Sequence, residues 1–155
     1  MVDAWQFAGK STAGFISPGR FEHGEKTGIF AKNIMSQESR LLASNQAGEI
    51  PGLGFGIWHF DAEVIHWVNQ TFGLISITEL LVVDEIGPVE FDLSQGWISA
   101  FEVIRIATYQ LALVVIRPAY VAAFRKMGYS FKNLDLDQSG TNADRVKPFL
   151  PNNYG

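Results

Sequence analysis

Apolar and polar residues change rhythm near the middle of the chain. In the first 60 residues the apolar stretches are short and interrupted by glycine and proline. Gly14 to Ser17 (GFIS) is one such run, stopped by Pro18-Gly19, and Thr27 to Ile34 (TGIFAKNI) alternates in part, so both read as strands. The polar turn Ser36-Gln37-Glu38-Ser39 leads into Arg40 to Ala43 (RLLA), which predicts a small antiparallel meander. Gly48 to Gly56 (GEIPGLGFG) reads as a loop, because glycine and proline at that density resist regular structure. Asp61 is placed to cap a helix. Val64, Trp67, Val68, Thr71 and Phe72 then recur at i, i+3, i+4, i+7 and i+8, one apolar stripe at helical spacing.

The second half carries two short all-apolar runs rich in β-branched residues, Leu80 to Val83 and Leu111 to Ile116, the pattern of strands covered on both faces. Between them Ser94 is positioned to cap a helix in which Trp97, Phe101 and Ile104 face a sheet. Strand, helix and strand in about 30 residues is the span of a βαβ unit, which predicts parallel strands. A further helix is expected around Ala119 to Lys126, and a last strand at Phe131 to Leu136. The expected fold class is α/β: one domain with a mostly parallel sheet, flanking helices and an N-terminal antiparallel meander. That domain spans residues 1–136. Residues 137–155 are polar and contain proline, and are expected to be an irregular tail.

Composition narrows the function. At 155 residues and 47% hydrophobic, the chain has enough apolar material for one sizeable core. A net charge of −4 with scattered acids and bases gives no footprint for nucleic acid or an anionic membrane surface. The apolar runs fall far short of the roughly 20 residues of a membrane helix, and no secretory signal is visible. With no cysteine, disulfides, thiolate nucleophiles and Cys-based metal sites are excluded, which fits a reducing cytoplasm.

Candidate chemistry concentrates in residues 80–88, LLVVDEIGP, a buried strand that ends in two adjacent acids. In open parallel α/β sheets, ligands occupy the crevice beyond the carboxyl ends of the strands, where Asp84 and Glu85 fall. Neighbouring side chains on extended backbone point opposite ways, so the two carboxylates can take different tasks. An aspartate can hold Mg²⁺ through water while the next glutamate activates an attacking water, the division used in phosphoryl transfer. The alternative from spacing alone is a pair of acids that caps a helix or meets solvent. Arg117 follows the run Leu111 to Ile116, so it projects from the same sheet edge. It reads either as a group that meets phosphate or transition-state charge, or as a salt-bridge partner for a nearby acid.

LLVVDEIGPVEF resembles the Walker B segment of the thermophilic-type nucleoside-triphosphatase family of P-loop proteins, an apolar strand followed by DEIG. GFISPGRFEHGEKTGIFAKNIMSQESRLLAS, WHFDAEVIHWV and LALVVIRPAYVAAF are similar to other segments of that family, so the likeness covers roughly Gly14 to Leu136. The resemblance implies Mg²⁺-dependent hydrolysis of ATP or GTP, with Asp84 assisting the metal and Glu85 activating water. In the family, a strand, a Walker A loop and a first helix precede the segment that matches GFISPG. Here the near match is Ala4 to Ser11 (AWQFAGKS), with too few residues around it for the feeding strand or the helix. The expectation is therefore a fragment of a longer protein or a domain with a lost phosphate grip. Its hydrolysis would be impaired, and a protein partner is the rival to a nucleotide.

Three weaker leads are set aside. Asp135 to Gly140 (DLDQSG) spells the first half of a calcium loop, but the position that needs a bidentate glutamate holds Val146. Gly52 to Gly56 (GLGFG) follows no buried strand and opens no helix, which favours a flexible connector over a phosphate loop. His23, His59 and His66 have no metal-ligand spacing, and Trp67, Trp97 and Phe101 read as core.

Overall fold

The computed structural model describes residues 1–135 and 145–151. The first helix, α1 (Val2–Phe7), leads into β1 (Thr12–Ile16), β2 (Gly19–Glu22), β3 (Glu25–Asn33) and β4 (Ser39–Ser44). A hairpin of β5 (Leu53–Phe55) and β6 (Trp58–Phe60) precedes α2 (Ala62–Leu74). Strand β7 (Leu80–Ile86), the short α3 (Pro88–Phe91), α4 (Ser99–Ile106), β8 (Leu111–Ile116) and α5 (Val121–Lys126) complete the domain.

All eight strands form one sheet in the order β5-β6-β4-β3-β1-β7-β8, with β2 paired to β3 off that path. Only β1·β7 and β7·β8 are parallel; the other pairings are antiparallel. The sheet is therefore mixed, where a mostly parallel one is expected from the sequence. Strand β1 is the seam. It runs antiparallel to β3 (Phe15↔Asn33) and parallel to β7 (Gly14↔Val82), a non-local partner that local patterning does not reveal.

One sheet face packs on α2 and α4. Asp61 caps α2, its carboxylate accepting from the Glu63 and Val64 N–H groups, and the predicted stripe buries Val64, Val68 and Phe72. Phe15 meets Trp67 and Phe72 edge-on, with ring centroids 5.1 and 5.2 Å apart, and Trp97 closes the cluster. On the opposite face α1 lays Trp5 against Leu80 and Val82, and the Trp5 Nε1–H donates to the Phe149 carbonyl at 3.0 Å.

Several expectations need correction. Part of the loop expected at Gly48 to Gly56 is strand β5, held by Leu53↔Phe60 pairing across a tight turn. Gly56, at φ 60°, takes the first central position of that turn, as a type II′ hairpin requires. Ser94 caps nothing: it sits at φ 52° in the turn after α3, and α4 starts only at Ser99. No strand forms over 131–135, where Phe131 packs against the core as irregular chain. Leu136 and most of the tail expected at 137–155, including all of the calcium-loop match after Asp135, lie outside the described residues. Within the tail, Lys147–Phe149 is a 3₁₀ turn. No helix among the described residues is long and apolar enough to cross a membrane.

Candidate functional site

The two acids sit where β7 breaks its own alternation. Leu81 and Val83 face the main core, while Leu80 and Val82 face α1. Continued alternation would drive Glu85 into the core and turn Ile86 to the other face. Instead Ile86 is fully buried in the main core. Between the pairs Val83↔Val114 and Ile86↔Ile116, β7 spends two residues, Asp84 and Glu85, where β8 spends only Val115. This is a β-bulge, and Glu85 absorbs it with a left-handed backbone, φ 75°. A side chain held in that region stores about 1 to 3 kcal/mol of strain.

Neighbouring strand ends fix the tip. The Ser17 N–H donates to Asp84 Oδ2 at 2.7 Å and the Ser17 hydroxyl donates to the Asp84 carbonyl at 3.0 Å, stitching the end of β1 to that of β7. Asp84 Oδ1 receives no hydrogen bond from the described residues. Arg117, directly after β8, donates from Nε (3.2 Å) and Nη2 (2.7 Å) to Glu85 Oε1, which leaves Oε2 open. The Arg117 N–H also donates to the Ile86 carbonyl at 3.2 Å. With 59% of the Arg117 side chain exposed, the ion pair contributes at most about 1 kcal/mol to the fold.

A third carboxylate holds the turn behind the acids. Glu90 accepts from the Gly87 N–H at 2.9 Å and from the Trp97 N–H at 3.0 Å, clamping the 92–97 turn onto the start of α3. Burial pushes its carboxyl pKa upward against the pull of those backbone donors. Gly96 has to be glycine here, since a Cβ would lie 2.1 Å from Glu90 Oε1 and the backbone has φ 68°.

A cavity of about 250 Å³ opens beside this tip. Ser17, Glu85, Gly87, Glu90 and Arg117 line one side, and the β5–β6 hairpin with Ile65 of α2 lines the other. The structure thus gathers Asp84, Glu85 and Arg117 at the carboxyl edge of the parallel strands. Sequence reasoning missed Ser17 and Glu90. Ser17 closes the GFIS run ahead of Pro18, and Glu90 falls three residues after Gly87, the spacing at which a glutamate reaches back to a helix start.

Mg²⁺ of the kind used with phosphates needs only one or two carboxylates, the phosphates and water. Asp84, with one fixed oxygen and one open, fits that demand. Among the described residues no cluster of three or more His, Cys, Asp or Glu forms a metal cage.

The near match Ala4 to Ser11 lies elsewhere. Its first residues are α1, and Gly9 (φ 71°) is the glycine of a Schellman cap: its N–H donates to the Gln6 carbonyl and that of Lys10 to the Trp5 carbonyl. Lys10 and Ser11 then bind Glu79 at the start of β7. Five residues of strand, about 16 Å, separate that point from Asp84.

No protein-family model and no curated protein matches the sequence. Among solved structures, the chain is similar to a human cancer-related nucleoside triphosphatase determined in solution. The TM-score is 0.57 at 17% identity, over 81% of this chain and 75% of that one. The likeness shows a shared nucleoside-triphosphatase-like fold, in which the sheet edge described above is built.

Proposed function

We propose that this chain carries the water-activating half of a nucleoside-triphosphatase site of the thermophilic type. The observation that supports the reading is the bulge at Asp84-Glu85, which spends backbone strain to turn a carboxylate out of the core toward a cavity. In this reading Asp84 would hold Mg²⁺ through its open oxygen, and the chemistry such an ion would supply is neutralisation of charge on the phosphates. Glu85 Oε2 accepts the proton of the attacking water, while Oε1 stays on Arg117. Arg117 keeps an unused Nη1 to meet the negative charge that develops on the transferred group. A cytoplasmic setting belongs to the same reading.

Among the described residues no loop wraps phosphates, so affinity for Mg-ATP or Mg-GTP is expected near the millimolar range, about −4 kcal/mol, with slow turnover. Calorimetry and phosphate-release assays on the purified chain test this. Glu85→Gln should remove release while sparing binding, and Asp84→Asn should remove binding. No heat and no phosphate from the wild-type chain would overturn the proposal.

A second reading, a non-catalytic remnant that associates through a strand edge, rests on β8. All six of its residues are apolar, none is fully buried, and it ends the sheet with one side unpaired among the described residues. Concentration-dependent association that Val115→Lys abolishes would support it. A monomer at every concentration in sedimentation counts against it.

A further inference from the structure

The cavity beside Glu85 has a wall that the acid pair does not explain. Phe55, Trp58 and Phe60 of the β5–β6 hairpin and Trp97 from the turn after α3 all line it, together with Ile65. Water activation requires a carboxylate and space for one water. It does not require a chamber of about 250 Å³ faced by four aromatic side chains.

The charge inside the chamber limits its occupant. Glu85 is balanced by Arg117, but Glu90 has no cation within reach and is satisfied only by backbone N–H groups. A phosphate or carboxylate pushed among these rings would meet an unbalanced carboxylate in an apolar setting, which is costly. An uncharged ligand avoids that cost. Aromatic walls favour a flat one, because ring faces and edges pair at separations that aliphatic groups do not exploit. The volume falls just below the roughly 300 Å³ at which pockets for drug-sized molecules begin, which suits one or two fused rings.

We infer that this chamber is a binding site for a neutral, planar aromatic ring of one or two fused rings. Trp58 and the hairpin hold the faces of the ring, and its substituents point toward Glu85 and Arg117. The inference rests on the reading above only for what the ring is attached to; the ring site itself stands on the hairpin, the chamber and its charge.

The four tryptophans give a built-in readout. Trp58 and Trp97 line the chamber, whereas Trp5 is on the opposite face of the sheet, tied to Phe149. Adenosine, which carries a two-ring base and no phosphate, serves as probe, with cyclohexanol as a non-planar control and Mg-tripolyphosphate as a phosphate probe. In ¹H–¹⁵N spectra, adenosine should move the indole signals of Trp58 and Trp97 saturably and leave that of Trp5 in place. Trp58→Leu should weaken the binding about tenfold or more. Ile57 is 67% exposed at the hairpin turn, so Ile57→Ala retains the fold and should weaken binding several-fold by removing apolar wall at the mouth.

Unmoved Trp58 and Trp97 signals up to the solubility limit of adenosine would overturn the inference, and so would equal binding of cyclohexanol. Adenosine binding without a response to Mg-tripolyphosphate would keep the ring site and remove the nucleotide reading. A response to Mg-tripolyphosphate alone would do the reverse.

Discussion

The parallel strands β1 and β7 carry acids and bases at both ends, and the two ends use them differently. At the start of β7, Glu79 Oε1 accepts from Lys10 (2.7 Å) and Gln110 (3.3 Å), and Oε2 accepts from the Ser11 N–H (2.8 Å) and hydroxyl (3.2 Å). Every carboxylate oxygen is engaged, and the Lys10 ammonium, with help from the Ser11 N–H, lowers the Glu79 pKa. At the finish of β7, Asp84 and Glu85 each keep an oxygen free, and Glu85, on strained backbone, lines a cavity whose lining does not include Asp84. A saturated ion cluster on relaxed backbone is a fastening. Unsaturated carboxylates, one of them on strained backbone, are what the proposed site requires, and spacing in the sequence does not distinguish the two.

Ways to break this contrast follow in order of size. Gly14, midway along β1, approaches β7 so closely that a Cβ would lie 1.9 Å from the Val82 carbonyl oxygen, at φ 111°. Gly14→Ala should part the strands and disrupt both ends at once, costing about 3 kcal/mol or more in urea unfolding. Glu85→Gly should act in the opposite direction. It relieves the left-handed backbone for the loss of one exposed ion pair, a gain of about 1 kcal/mol that raises the thermal midpoint by about 3 °C. Phosphate release, where present, should vanish in the same variant.

Acid should separate the ends as well. Because the folded Glu79 carboxyl titrates below its unfolded value, its stabilisation is present above about 4.5 and is lost as pH falls through the folded value. Glu49, on Arg20 and Ser44 beside β4, behaves alike with a folded pKa of about 2. Glu79→Gln and Glu49→Gln should each flatten the acid limb of a stability-versus-pH curve between those limits. An unchanged limb would show the fastening to be ornamental. The smallest effect is expected at Val115, opposite the bulge and 47% exposed, where Val115→Ala should shift stability by no more than about 0.5 kcal/mol.

Much of the frame was legible because its causes are local. Asp61 and the stripe Val64, Val68 and Phe72 specify α2 without outside help, and the run at Leu80 announces a buried strand, whereas the equally apolar run at Leu111, expected to be covered on both faces, forms a half-buried edge strand. The location of Asp84, Glu85 and Arg117 at one edge followed from those runs. What failed depends on partners distant in sequence. Strands β5 and β6 have three residues each and exist because Phe60 finds Ala43 in β4, which no composition of GEIPGLGFG foretells. Ser94 has the chemistry of a cap, but the Glu90 clamp on Trp97 carries the chain past it into a turn. The GKS at Gly9 spells a phosphate loop and is a helix stop, a distinction made by the hydrogen bonds around it. The bulge itself is a mismatch between two strands and leaves no mark in either alone.

That mismatch makes Glu85 supernumerary. Excise it, and Asp84 would stand opposite Val115 and Ile86 opposite Ile116, an unbroken ladder with every apolar side chain already on its proper face. The ladder thus has no need of the residue: a polypeptide one glutamate shorter should assemble the same sheet more comfortably.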